Sequence, residues 1–206
     1  MSSAEHLIRA AATLGVALSA EGAQQLLRLT EELAHWNRSY NLTAITTPEA
    51  MLTRHLLDSL AIHPDLHGTR IADVGTGAGF PGLPLAVVNP ARQFTLIDSS
   101  LKKIRFVQHA VQQLGLENVS AVHARAEALR PEIPFDTVVT RAFAALPQML
   151  RTVAPLCGPE TRVLAMKGRW PQAELAELPA GWRVTASRQL QIPGLDAARC
   201  VLVLAR

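Results

Sequence analysis

After Gly68 the chain alternates between short apolar runs and amphipathic stretches of helical period, and this alternation restricts the fold more than any other feature. "RIADV", "QFTLID", "VSAVH", "FDTVVT" and "RVLAMKG" read as strands. "PGLPLAVVN", "SLKKIRFVQHAVQQLG" and "LPQMLRTVAPL" read as helices, the second closed by Gly115, and a short loop or turn around Ala126 follows "VSAVH". Strands alternating with helices form a parallel sheet covered on both faces. Right-handed crossovers make it doubly wound. The tail departs from this rhythm. "WRVTASRQLQI" and "ARCVLVLAR" are both strand-like, separated by "PGLDA", and predict an antiparallel hairpin at the sheet edge. The expected fold is α/β: a doubly wound, mostly parallel seven-stranded sheet with one antiparallel edge strand.

Before Gly68 the pattern predicts helices and no strands, so residues 1–68 are expected to form a helical extension and residues 69–206 the main domain. Leu7, Ile8, Ala11 and Leu14 lie on one side of a first helix. A second runs from the N-cap Ser19 to about Trp36. A third opens at "TPEA", with Thr47 as cap and Pro48 at the first helical position, and ends before Pro64. The extension holds four basic and seven acidic residues against sixteen and ten in the remainder, within a formal net charge of +3. A basic domain behind an acidic extension points to a polyanionic partner. No apolar run is long enough to cross a bilayer, so a cytoplasmic protein without a membrane partner is expected. Two cysteines, Cys157 and Cys200, cannot build a disulfide framework.

Within this frame "IADVGTGAGFPGLPL" places Gly75, Gly77 and Gly79 directly after the first strand. A glycine cluster at a strand exit marks a place where something approaches the backbone closely. In a doubly wound sheet, ligands bind at the carboxyl ends of strands. The second strand ends at Asp98, 23 residues after Gly75, where a carboxylate can accept both hydrogen bonds of a ribose diol. Glycine loop and acid together indicate a nucleoside. "GAGFPG" also fits the dinucleotide pattern at Gly77, Gly79 and Gly82. Against a dinucleotide stands Asp73, because a pyrophosphate wants positive potential here. S-adenosylmethionine has no phosphate and carries cationic groups that an acid can help, so Asp73, Gly77, Gly79 and Asp98 are read as its site. A seven-stranded sheet with one reversed edge strand is also the usual build of methyltransferases that use this donor.

Methyl transfer from a sulfonium requires mainly an aligned acceptor lone pair. The acceptor is expected after the fourth strand, at "TRAFAALP" with Arg141 and Phe143. The sequence holds neither an Asn/Asp-Pro-Pro-aromatic motif for attack by an exocyclic amine nor a Pro-Cys at that place for a cysteine adduct. Lys167 and Arg169, after the fifth strand, are candidates for phosphate contact. Pro64 breaks the four-residue spacing of His63 and His67, and no His-Glu-x-x-His motif occurs, so no metal is expected. His55 reads as a packed or exposed helical residue.

"WNRSYNLTAIT", "RHLLDSL", "DVGTGAGFPGLPLA", "LIDSSLKKIRF", "TRAFA", "MKG" and "IPGLDAARCVLVL" follow in this order from residue 36 onward. Together they resemble the small-subunit ribosomal RNA methyltransferase G family, also called glucose-inhibited division protein B. The resemblance implies the class I, Rossmann-like methyltransferase fold and methyl transfer from S-adenosylmethionine to N7 of a guanine in the decoding-region loop of 16S rRNA. The implied substrate is the RNA or a small ribosomal subunit particle, and a monomer is expected. The family's donor contacts fall on Gly75, Phe80, Ala126, Glu127 and Arg141. Phe143, Lys167 and Arg169 remain candidates for the substrate side, Phe143 as a stacking surface. Cys200 stands where the family often has histidine. Guanine N7 carries a free lone pair and no proton, so no general base is required; an acid near the cationic product would help, and the sequence alone does not name one. Other readings of the same sheet are a nicotinamide-dependent oxidoreductase, a non-catalytic RNA-binding ribosome assembly factor and a small-molecule methyltransferase.

Overall fold

A computed structural model describes residues 2–141 and 143–206. Seven strands form one sheet in the order β3-β2-β1-β4-β5-β7-β6. They are β1 (Arg70–Val74), β2 (Gln93–Asp98), β3 (Val119–His123), β4 (Phe135–Arg141), β5 (Cys157–Lys167), β6 (Arg183–Gln189) and β7 (Cys200–Ala205). The first five run parallel. β7 is antiparallel to both β5 and β6, so the reversed strand lies one place inside the edge and β6 is outermost. The hairpin read from the tail is therefore present, with its second strand inserted against β5.

The helical pieces are α1 (Ser3–Thr13), α2 (Ala20–Tyr40), α3 (Pro48–Met51), α4 (Asp58–Leu60), α5 (Gly82–Val87), α6 (Leu101–Leu114), α7 (Leu146–Val153) and α8 (Gln172–Leu175). Local chemistry sets their ends. The Ser19 hydroxyl accepts from Gly22 N at 3.0 Å and that of Thr47 from Ala50 N at 3.3 Å. α2 runs past Trp36 to Tyr40, where Asn41 takes a left-handed conformation at φ 48°. The side chain of Asn37 then accepts from the backbone of Leu42 and Thr43, which turns the chain. α3 and α4 are the ends of one rod, joined by a π-helical segment over Leu52–Leu57 that the sequence pattern does not disclose. His63–Asp65 is a 3-10 turn where a loop was expected.

Two buried clusters lie on opposite faces of the sheet. One joins Ile71, Phe94, Leu96 and Val139 to Leu7, Leu26, Leu33, Leu57, Leu83 and Phe106, so the N-terminal helices cover the same face as α5 and α6. The other joins Ala72, Val74, Val138 and Val163 to Leu146, Leu150 and Val153 of α7. Among the described residues no helix is long and apolar enough to cross a membrane.

Candidate functional site

Strand order reverses between β1 and β4, and the glycine loop leaves β1 at this switch point, where α/β sheets open a crevice. Gly75 N and Thr76 N both donate to the Ile97 carbonyl, at 2.9 and 3.1 Å, which fixes the loop to the end of β2. Gly77 N donates to the Asp98 carboxylate at 2.9 Å. Gly77 has φ +62°, and a Cβ built on it would meet nothing within 4 Å. Gly82 is needed for another reason: its Cβ would lie 2.7 Å from the Asp73 carboxylate, to which its N–H donates at 2.8 Å.

Asp73 shares the covered face of β1 with Ile71 and is 1% exposed. One carboxylate oxygen accepts from the Thr76 hydroxyl at 2.6 Å and from Gly82 N. The other is buried with no partner among the described residues. Asp73 thus holds the two ends of the loop together, and its carboxylate does not line the cavity in front of it. Burial raises its pKa from 3.8 to about 6, against the lowering effect of its two hydrogen bonds and of Arg141. The folded protein therefore holds more protons than the unfolded chain between these values, and stability falls as pH rises through that window. Relative to Asp73→Asn, wild-type protein is expected to lose about 2 kcal/mol of unfolding free energy from pH 4 to pH 7. Denaturant melts across that range check this; a pH-independent difference would refute it.

In front of the loop is a cavity of about 410 Å³ lined by Gly75, Asp98, Ser99, Ala126, Glu127 and Phe143, among others. Its walls are the exits of β1, β2, β3 and β4. Asp98 is 7% exposed. Each of its oxygens takes one backbone N–H, from Gly77 and from Ser100 at 2.8 Å, and a carboxylate oxygen can accept two. Lys103 stands 3.8 Å away. Ala126 lies in a 3-10 turn that follows β3 directly. Phe143 rests on Gly75 so closely that a Cβ there would lie 2.5 Å from its ring. The cavity thus offers bare backbone, an acceptor carboxylate and one aromatic cover, with 39% of Phe143 exposed. S-adenosylmethionine fits this donor set: the carboxylate suits its ribose and the backbone its adenine edge.

A second cavity, about 440 Å³, opens where β4, β5 and β7 meet the α3–α4 rod, with Ile45, His55, Asp58, Arg141, Lys167 and Arg199 in its wall. Asp58 is 3% exposed. Its two oxygens face Arg141 Nη1 at 3.1 Å and Arg199 Nε at 3.0 Å. Arg141 Nη1 also donates to the Arg54 carbonyl at 3.1 Å, within the π-helical segment. His55 stacks on Phe80 with ring centroids 4.5 Å apart, and the Arg141 guanidinium lies over the Phe80 ring, 5.7 Å from its centroid. Burial, helped by Arg141, lowers the His55 pKa to about 4, so its imidazole is uncharged at neutral pH.

The sequence candidates thus divide. Gly75, Asp98, Ala126, Glu127 and Phe143 surround the first cavity. Phe80 is buried against His55 and lines neither cavity, and the Cβ of a residue at Gly79 would run into Leu83. Arg141 faces the second cavity. Lys167 lines it too, but its ammonium donates to Glu174 at 2.8 Å and to the Ala144 carbonyl at 2.9 Å, so it is not the free phosphate contact expected. Arg169 is exposed beyond β5. Sequence reasoning missed Asp58 and Arg199 and set His55 aside. The one available signal was an acid inside the apolar run "HLLDSLAI", since a buried carboxylate requires partners. Among the described residues no group of three His, Cys, Asp or Glu side chains could hold a metal ion.

The family model described as rRNA small subunit methyltransferase G matches residues 22–203. The ribosomal RNA small subunit methyltransferase G of Pseudomonas paraeruginosa is 48% identical over 204 residues, 98% of this chain and 95% of that one. Its namesake from Aeromonas salmonicida is 46% identical over 188 residues, 91% and 90% of the two chains. A SAM-dependent methyltransferase of Aquifex aeolicus has the same fold at a TM-score of 0.54 and 19% identity, over 76% of this chain and 93% of that one. A switch-point glycine loop, a ribose-type carboxylate and this extent of identity lead to one conclusion: the chain belongs to the rRNA small subunit methyltransferase G family.

Proposed function

We propose that the protein transfers a methyl group from S-adenosylmethionine to N7 of a guanine in the decoding-region loop of 16S rRNA. The observation that carries this reading is Asp98, a carboxylate at the end of β2 that lines the switch-point cavity while one of its oxygens pins the glycine loop. It supports donor binding, and family membership supports the RNA as substrate. When bound, S-adenosylmethionine supplies an electrophilic methyl on its sulfonium. Asp98 would accept from its ribose hydroxyls. Gly75 and Gly77 would let it lie on the backbone, and Ala126 and Glu127 would border the adenine. Asp73 acts through the loop, by holding Thr76 and Gly82. Arg141, at the end of β4, stands between the donor side and the second cavity. N7 has a lone pair and no proton, so no residue of this chain has to move one.

In this reading residues 69–206 form the donor-binding domain and residues 1–68 a helical extension that covers one face of its sheet. The protein works as a cytoplasmic monomer on the RNA or on a small-subunit particle. The test is the nucleoside content of 16S rRNA. RNA from cells lacking the protein is expected to miss one 7-methylguanosine, and purified protein with donor restores it. An unchanged level of that nucleoside in the deletion strain refutes the assignment.

A further inference from the structure

The second cavity lies apart from the glycine loop, and its wall holds a connected set of buried polar groups. Asp58 is buried between two guanidinium groups that reach it from β4 and from the entry to β7, 83 and 141 residues away along the chain. The rod that carries it contains a π-helical segment, a local irregularity frequent at functional sites. His55, on that segment, bonds through Nε2 to the Thr43 hydroxyl at 3.1 Å, and its Nδ1 is buried without a partner among the described residues.

The charges have a pattern. Asp58 offsets one of the two arginines, and Glu174 offsets Lys167. The Asp58–Arg141–Arg199 cluster therefore retains one positive charge. Arg141 uses only Nη1, and Arg199 uses Nε and Nη1, the latter on the Ala198 carbonyl at 2.9 Å. Their remaining N–H groups have no protein acceptor among the described residues. Guanidinium edges fixed in this way by a carboxylate suit one phosphate. The phosphate cancels the charge that this cluster retains, and His55 adds none, so the wall does not oppose a base that becomes cationic.

We propose that this second cavity is the acceptor pocket: it receives one unstacked guanosine nucleotide of the RNA, its phosphate on the free N–H groups of Arg141 and Arg199 and its base beside His55. This rests on the methyltransferase reading above and extends it to particular residues. A base splayed from a loop is the form in which RNA is read by side chains, and a volume of about 440 Å³ lies within the range of small-ligand sites. The donor cavity is lined by Val74 and Gly75 at the exit of β1, and this one by Arg141 at the exit of the neighbouring β4, so a base here is at the same edge of the sheet.

Two variants test it, with small ribosomal subunits from cells lacking the protein as substrate. Arg199→Gln is expected to weaken subunit binding about tenfold or more, the scale of a lost hydrogen bond to a charged group, and to raise KM in step. Ile45→Trp, at a half-buried loop position in the cavity wall, fills the space and is expected to slow transfer by about a hundredfold. Ile45→Trp should melt near the wild-type temperature, whereas Arg199→Gln removes a partner of the buried Asp58 and should melt lower. At a temperature where both are folded, both should bind S-adenosylhomocysteine in calorimetry within about twofold of wild type. Wild-type binding and transfer by both variants places the acceptor elsewhere and overturns the proposal while the function stands. Loss of S-adenosylhomocysteine affinity in parallel with transfer also overturns it, because the cavity would then serve the donor. No transfer by the wild-type protein itself to these subunits overturns the functional reading, and the pocket with it.

Discussion

Asp58→Ala is expected to lower the free energy of unfolding by about 2–4 kcal/mol, a large share of what a domain of this size possesses. The carboxylate is 3% exposed and joins three distant parts of the chain: the α4 end of the helical rod, the last residue of β4 and the residue before β7. Its removal leaves two guanidinium groups facing each other across a small void. Their side chains keep 21% and 26% of their exposure, so water offsets part of the loss and the effect falls below that of a fully buried pair. Asp58→Asn retains one acceptor and should cost less. Denaturant titration of the three proteins checks the order. A change below about 1 kcal/mol for Asp58→Ala would mean that the pairs are no stronger than surface ion pairs.

Gly77→Val should abolish measurable donor binding, with affinity for S-adenosylhomocysteine reduced by more than about a hundredfold. The Cβ direction at this residue is open, and the same backbone N–H fixes Asp98. A branched side chain both occupies that opening and strains the loop. The sequence alone leads one to expect that the fold is scarcely affected; the φ of +62° changes this, since a left-handed backbone costs an L-residue roughly 1–2 kcal/mol. Gly115→Val provides the control. Gly115 has φ +64° and open space of its own at the end of α6, away from the donor cavity. Both variants should lose similar stability, and only Gly77→Val should lose the ligand. Equal affinities in calorimetry would remove the loop from the donor site.

The parts of this molecule that are local in sequence could be read from it. Each strand after Gly68 and the helices α5, α6 and α7 could be read from local pattern, whereas the short α8 could not, and the caps at Ser19, Thr47 and Gly115 stand where the helices begin or end. The donor cavity was legible for the same reason: its loop occupies one short stretch and Asp98 closes the next strand. Asp73 was placed correctly and given the wrong neighbour. Two-residue alternation puts it on the face of Ile71, under α5, rather than at the open end of the strand. The second cavity was not legible. Ile45, Asp58, Arg141 and Arg199 meet only because the rod, β4 and β7 pack together, and no local pattern records a meeting of residues so far apart. Lys167 shows the converse, since a lysine after a strand looks free until Glu174 is found 2.8 Å away.

The position of β7 bears on how the molecule is assembled in time. β6 is made before β7 yet has only β7 as a neighbour, and β5 likewise lacks its outer partner until β7 arrives. While the chain emerges from a ribosome, β1 to β5 can pair and be covered, but β6 waits as a strand without a sheet. β7 can pair with β6 as a local hairpin, and its insertion against β5 is then the late event that joins the two to the rest of the sheet. The same step carries Arg199 onto Asp58. A nascent chain can therefore complete its glycine-loop cavity well before the second cavity exists, and the edge of β5, open until then, is where a partly made molecule is most exposed to pairing with another.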